Sequence, residues 1–243
     1  NGGGYKTAKN VGNYVGRTYE GRYLGGVIAG KMSKSGVAGY IASFPIPEIL
    51  QDINAFTLGM RSVNPSARVK VIWINSWYDP GRERDATNTL ITQGADVLTY
   101  AAASPATVVA AAAKGVYSVG FFSDMARFGP KSVLTSVTNQ WGNYYTAVAQ
   151  QVLNGTWKPS STWGGMKDGF IKMAPLNSVV PADVKADFAK VEERLIDGKV
   201  KPFDGPVVDQ DGKVRVAAEQ TASDAELHKM DYFVKGVEGN LTK

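Results

Sequence analysis

The chain has 243 residues, 44% of them hydrophobic and 20% charged, enough for a sizeable core and unlike a disordered or fibrous chain. Its formal net charge is +5, but Lys and Arg are scattered rather than gathered on an arginine-rich helix or interleaved with aromatics, so the composition does not describe a nucleic-acid binder. Cysteine is absent, which excludes thiol catalysis, disulfides and cysteine-ligated zinc, and fits a bacterial extracytoplasmic protein.

The sequence opens on NGGG, neither a start methionine nor a signal peptide, and reads as processed or truncated there. The longest strongly apolar window, YLGGVIAG at 23–30, is far too short to span a bilayer. Short apolar runs predict strands at 11–15, 37–42, 69–74, 95–99, 117–122 and 133–137. Between them, helical periodicity predicts helices at 19–31, 47–63, 81–92, 105–114 and 141–153. Strands alternating with helices of this length imply βαβ units and a parallel sheet covered on both faces. At least five parallel strands are expected, with 37–42, 69–74, 95–99 and 117–122 in one sheet.

The punctuation agrees. Pro47, Pro80 and Pro105 stand at first-turn positions, where a missing N–H costs nothing. Asn64-Pro65, Gly94, Gly115 and Asn154-Gly155 stand just past helix ends. Beyond Pro175 the pattern predicts one amphipathic helix at 181–197, with Val184, Phe188, Val191 and Leu195 on a common face. VVDQDGKVRV (207–216) predicts a hairpin turning at Asp211-Gly212, and a short helix starts at Ser223.

Several motifs fail when their chemistry is checked. Residues 25–31 nearly spell a phosphate-binding loop, but Met32 stands where Ser or Thr must hold magnesium, and the stretch lies inside a predicted helix. The small residues Gly21, Gly25, Gly26, Ala29 and Gly30 instead suit close helix packing. Asp209 and Asp211-Gly212 resemble a calcium loop, yet Val207 and Ala218 occupy ligand positions, so the hairpin turn is preferred. His228 is the single histidine; it is expected at the surface, and no Ser-His-Asp set can be assembled around it. Neither an enzyme nor a cofactor is indicated.

What remains is aromatic and polar residues at the carboxyl ends of the predicted strands, where open α/β sheets bind ligands. Ser43-Phe44-Pro45, Trp77-Tyr78-Asp79, Tyr100, Phe122-Ser123-Asp124 and Asn139-Gln140-Trp141 each follow a strand. For any one aromatic, packing competes with ligand contact; five successive strand ends with this signature favour a flat, aromatic-lined pocket with polar anchors. Asp124 suits either an anchor or a cap for the following turn.

These stretches carry a resemblance. NVGNYVGRTYEGRYLGGVIAGKMSKSGVAGYIASFPIPE, FTLGMRSVNP, WYDPGRERDATNTLITQGADVL, VGFFSDM, VLTSVTNQWGNYYTAVAQQVLNGTW and FVKGVEG run in order over nearly the whole chain. The sequence resembles the basic membrane protein family, purine-nucleoside-type substrate-binding lipoproteins of bacterial ABC importers. The resemblance implies a type I periplasmic-binding-protein fold: two α/β lobes joined by hinge strands and closing over a ligand. It implies that a front portion of lobe one is absent. Residues 1–35 and 126–200 would then be the remainder of lobe one with the hinge crossings, 36–125 lobe two, and 201–243 a C-terminal hairpin and tail. The implied partners are a small purine-type ligand and an ABC permease, with the membrane reached only through an N-terminal lipid anchor outside this chain, at the periplasm or cell surface.

By the same resemblance, Trp77 matches the family's base-stacking aromatic. Phe44 stands where nucleoside binders carry a small residue, and Glu20 matches an "EG" helix start able to accept hydrogen bonds. Where nucleoside binders read GVDSDQ, this chain reads GFFSDM, so Phe122 replaces the aspartate that meets a sugar hydroxyl. That departure favours a free base such as adenine over a nucleoside. With Tyr100, Asp124, Trp141 and Asp79, these residues form the expected ligand-binding set. A sugar-like or other small polar ligand, or a sensory ligand-binding domain, are the alternatives.

Overall fold

The computed structural model describes residues 7–241, so the NGGG opening lies outside the described residues. The chain runs β1 (Asn13–Gly16), α1 (Thr18–Met32), β2 (Val37–Ala42), α2 (Pro47–Val63), β3 (Arg68–Trp73), α3 (Pro80–Thr92), β4 (Val97–Ala101), α4 (Ala106–Ala113), β5 (Tyr117–Phe122) and β6 (Val133–Asn139). It continues through α5 (Gly142–Leu153), β7 (Ser161–Gly164), β8 (Ile171–Met173), α6 (Ala182–Ile196), the hairpin β9 (Val207–Val208) and β10 (Val214–Val216), α7 (Asp224–Leu227) and β11 (Val237–Glu238). Every residue of β2 and of β4 is buried, as continuous apolar runs require when helices cover both faces of a sheet.

Seven strands form one sheet in the order β11-β3-β2-β4-β5-β6-β8. The four segments expected together are parallel neighbours in it, and among the described residues only β8, paired with β6, runs antiparallel in this sheet. Gly94 and Gly115, just past α3 and α4, take φ of 94° and 67°, the left-handed values that end a helix. The hairpin forms as expected: Asp209 accepts bonds from the backbone N–H groups of Asp211 and Lys213 and from Arg215 Nε, while Gly212 turns with φ of 83°. Ser223 caps α7 in a reciprocal capping box with Glu226.

The small-residue face of α1 does what its spacing predicted. A methyl group on Gly26 would overlap the carbonyl oxygen of Phe56, and one on Gly59 would overlap that of Tyr23, so the backbones of α1 and α2 touch directly. Gly26→Ala is therefore expected to destabilise the fold by about 1–3 kcal/mol, read as a lowered urea midpoint. An unchanged midpoint would mean that the helices can separate at no cost.

Three expectations are corrected. First, the sequence reading had no strands at β7, β8 and β11, which run only four, three and two residues, too short for a periodicity to register. Second, α1 and β6 do not stand apart from 36–125. α1 packs along α2 and beneath β6, and β6 is a member of the seven-stranded sheet. Residues 201–241 join it too: β11 pairs with β3, and Asn54 bonds the backbone of Tyr232 and Val234. Division at 35 and 125 would cut through this packing. The smaller unit is β1 paired with β7, together with α5, and the chain passes between the two units at Arg17, at 140–141 and at 165–170. Tyr14, Trp141, Tyr144 and Phe170 form its aromatic centre. Third, His228 is half-buried, and its ring stacks on Trp163 at 4.1 Å because α7 folds back over the end of β7.

Candidate functional site

Successive strands leave β2 in opposite directions, β3 on one side and β4 on the other, so the sheet has a topological switch point at β2–β4. Outside the carboxyl ends of the strands at such a point the flanking loops diverge and leave a crevice. Phe44 follows β2 there. The loop after β3 crosses over β2, and the carbonyl of Trp77 accepts a 2.8 Å bond from the N–H of Ala103, just beyond β4. The crossing brings Trp77 to Phe44, with ring centroids 5.2 Å apart and planes at 54°. Trp77 remains 51% exposed, an open aromatic face at the switch point instead of part of the core. Asn75, in the same loop, has φ of 51°, a left-handed residue that lets the chain turn back over the sheet.

Phe122 closes β5 with φ of 67°, unusual for a bulky residue, and the residue is 43% exposed. Strain of this kind persists only where the surroundings impose it, and it gathers at binding sites. Asp124 is exposed, and its carboxylate accepts a 2.9 Å bond from the Ala126 N–H two residues on, a local turn contact; the cap position of the short 3-10 turn at 126–128 is Met125. A depression of about 350 Å³ lies beside it, lined by Phe122, Asp124, Asn139 and Lys172. Asn139 Oδ1 and, just past β2, Ser43 Oγ are buried without a hydrogen-bond partner among the described residues.

Other members of the expected set lie elsewhere or are occupied. Tyr100 is fully buried, because β4 runs on to Ala101 and holds Tyr100 inside the strand; burial pushes its hydroxyl up to about 12. It lines no open surface. Asp79 caps α3, accepting from the Arg82 N–H at 3.0 Å. Glu20 accepts from the Met166 N–H at 2.6 Å and braces the segment joining β7 to β8; burial pushes its carboxyl up, opposed by that bond and by Arg17. Trp141 packs edge-on against Tyr14 and Phe170, 5.3 and 5.6 Å away, at the crossing into the smaller unit. Phe44 and Trp77 thus form one group and Phe122 and Asp124 a second, while Glu20 and Trp141 belong to the crossings.

Sequence reasoning missed the polar support beneath these loops. Arg22 is wholly buried, bonded to Asp52, Thr99 Oγ1 and the Tyr100 carbonyl. Its guanidinium lies 3.5 Å from the Phe121 ring centroid. Glu83, also fully buried, accepts bonds from Ser104 and Asp79. Nothing in the spacing of these residues separates them from surface charges on an amphipathic helix. Among the described residues no group of His, Asp or Glu is arranged to hold a metal ion, and no helix is long and apolar enough to cross a membrane.

The seven-stranded sheet with its switch point and the smaller β1–β7 unit define a two-unit α/β architecture, and sequence comparison places it. The family described as ABC transporter substrate-binding protein PnrA-like matches residues 3–201. The chain belongs to this family, whose members bind solutes for ABC transporters and perform no chemistry. It is similar to a purine-binding protein of Brucella abortus, 49% identical over 98% of this chain and 68% of that protein. It is also similar to a putative ABC transporter glucose-binding protein of Haloferax volcanii, 37% identical over 98% of this chain and 58% of that protein. The chain therefore spans well under the full length of both. Among solved structures, an ABC transporter solute-binding protein from Aeropyrum pernix superposes with a TM-score of 0.69 at 18% identity, covering 83% of this chain and 68% of the other, which shows the type I fold.

Proposed function

We propose that this chain belongs to the ligand-capturing component of a bacterial ABC importer and that it takes a purine-type ligand, a free base such as adenine in preference to a nucleoside. The exposed Trp77 ring beside Phe44 at the switch point carries the reading: a flat heteroaromatic ring stacks there by its faces. The Brucella relative, named as purine-binding, supports the ligand class. Phe122 supports the free base, because an aromatic cannot replace a carboxylate as the acceptor for a ribose hydroxyl. The two units close over the ligand by bending at the crossings, and the loaded form is handed to a permease at the outer face of the cytoplasmic membrane. A sugar ligand is the second reading, favoured by the Haloferax relative named as glucose-binding.

Isothermal titration of the full-length protein with adenine, adenosine and glucose separates these readings. Adenine is expected to bind more tightly than adenosine, and glucose not at all. A clear preference for adenosine would overturn the free-base reading, and binding of glucose alone would overturn the purine reading.

A further inference from the structure

Glu83 is the one fully buried carboxylate near the candidate crevice that no ion pair explains among the described residues. It projects from the first turn of α3, and its two oxygens serve two different loops. Oε1 accepts from the Asp79 N–H at 3.3 Å, in the segment that carries Trp77. Oε2 accepts from Ser104 Oγ at 2.7 Å, in the loop between β4 and α4. Ser104 is itself buried and accepts from the Ala106 N–H at 3.2 Å, so its hydroxyl proton is directed at Glu83. Above this bridge, Ala103 N–H donates to the Trp77 carbonyl at 2.8 Å, a second tie between the same two loops.

A buried carboxylate is costly, and burial pushes this one up from its ordinary range while the Ser104 and Asp79 bonds oppose the shift. An apolar residue of similar length would pack at lower cost, but it could not tie two loops together. We propose that Glu83 is a positioning residue, clasping the loop after β3 to the loop after β4 so that the Trp77 ring is held open over the switch point. The proposal rests on Trp77 being the stacking platform. Glu83 touches no ligand; it acts through the backbone of 77–79.

The variants are Glu83→Gln, which replaces the charged acceptor of both bonds by a neutral amide and so weakens the clasp by about the worth of one bond, and Ser104→Ala, which removes one half of the bridge with little change in volume. Adenine affinity is measured by calorimetry in the wild-type and Trp77→Ala backgrounds, with amide hydrogen exchange followed in parallel on the full-length protein. One lost hydrogen bond corresponds to about fivefold in affinity. Each variant is expected to weaken adenine about fivefold when Trp77 is present and to have no further effect in Trp77→Ala, with faster exchange confined to 76–79 and 103–106. Double-mutant coupling of this kind is what a purely structural role would not produce. Equal weakening in both backgrounds would overturn the proposal, as would unchanged affinity with unchanged exchange. If Trp77→Ala alone leaves adenine binding intact, the stacking reading fails and exchange then decides the clasp: faster exchange in both loops of Glu83→Gln supports it, and unchanged exchange rejects it.

Discussion

Trp77→Ala is expected to weaken binding of a purine about ten- to a hundredfold, the equivalent of roughly 1–3 kcal/mol for one base stacked on one aromatic face. The expectation follows from where the ring sits. Trp77 is half exposed, its partner Phe44 meets it at an angle rather than covering it, and its backbone is tied to Ala103. Removing the indole takes away a preformed surface and little of the core, so stability should change far less than affinity. Trp77→Phe keeps a π-face on the same backbone and should cost less than alanine. Calorimetry on the full-length protein reads both, and equal affinity of wild type and Trp77→Ala would reject the stacking role.

Asp52→Ala is expected to produce the largest loss of stability, about 3–5 kcal/mol, because it leaves the buried Arg22 guanidinium without its counter-charge. Asp52 accepts from Arg22 Nε at 3.2 Å and from Thr18 Oγ1 at 2.8 Å, with both charged groups almost fully excluded from water. Burial pushes the Asp52 carboxyl up, and Arg22 holds it down, so the two depend on each other. The pair also reaches the site: Arg22 Nη1 donates to Thr99 Oγ1 at 3.0 Å and Nη2 to the Tyr100 carbonyl at 2.7 Å, near the end of the strand whose following loop ties down Trp77. Replacing both partners with apolar residues, Arg22→Met with Asp52→Leu, should cost markedly less than either single change, since no charge is left stranded. Urea unfolding measures all of these. A loss below about 1 kcal/mol in Asp52→Ala would mean that the interior accommodates an unpaired guanidinium, contrary to the usual cost of a stranded charge.

The alternation of short apolar runs with helix-period segments was enough to place the strands 37–42 and 117–122 and the helix 47–63, all of which form with those bounds. Local chemistry decides such elements: short, mostly apolar runs for the strands, and for the helix a proline in the first turn and Asn64-Pro65 past the last. The glycine pattern of α1 was equally legible, because only a helix pressed against another backbone needs so many absent side chains on one face. The aromatic signature at the strand ends likewise singled out Trp77 as a candidate for ligand contact, and that residue is left half exposed.

Other outcomes depended on contacts between residues far apart in the chain. Tyr100 read as a strand-end aromatic like Trp77, but two more residues of pairing between β2 and β4 carry it into the core. Asp79 and Asp124, by contrast, are set by local geometry: Asp79 accepts from the Arg82 N–H in the first turn of α3, and Asp124, which suited either an anchor or a cap, accepts from the Ala126 N–H two residues on. Glu20 is held by the Met166 N–H, a partner 146 positions away that no local pattern reveals. The membership of α1, β6 and residues 201–241 in the seven-stranded unit follows from packing alone, since a hydrophobic face carries no record of which face will cover it. Buried Arg22 and Glu83 are the sharpest case. In the sequence each is one charge among many on a helix, and only the approach of β4 and of the loop after β3 supplies the hydrogen-bonding partners that let a charge lose water and stay buried.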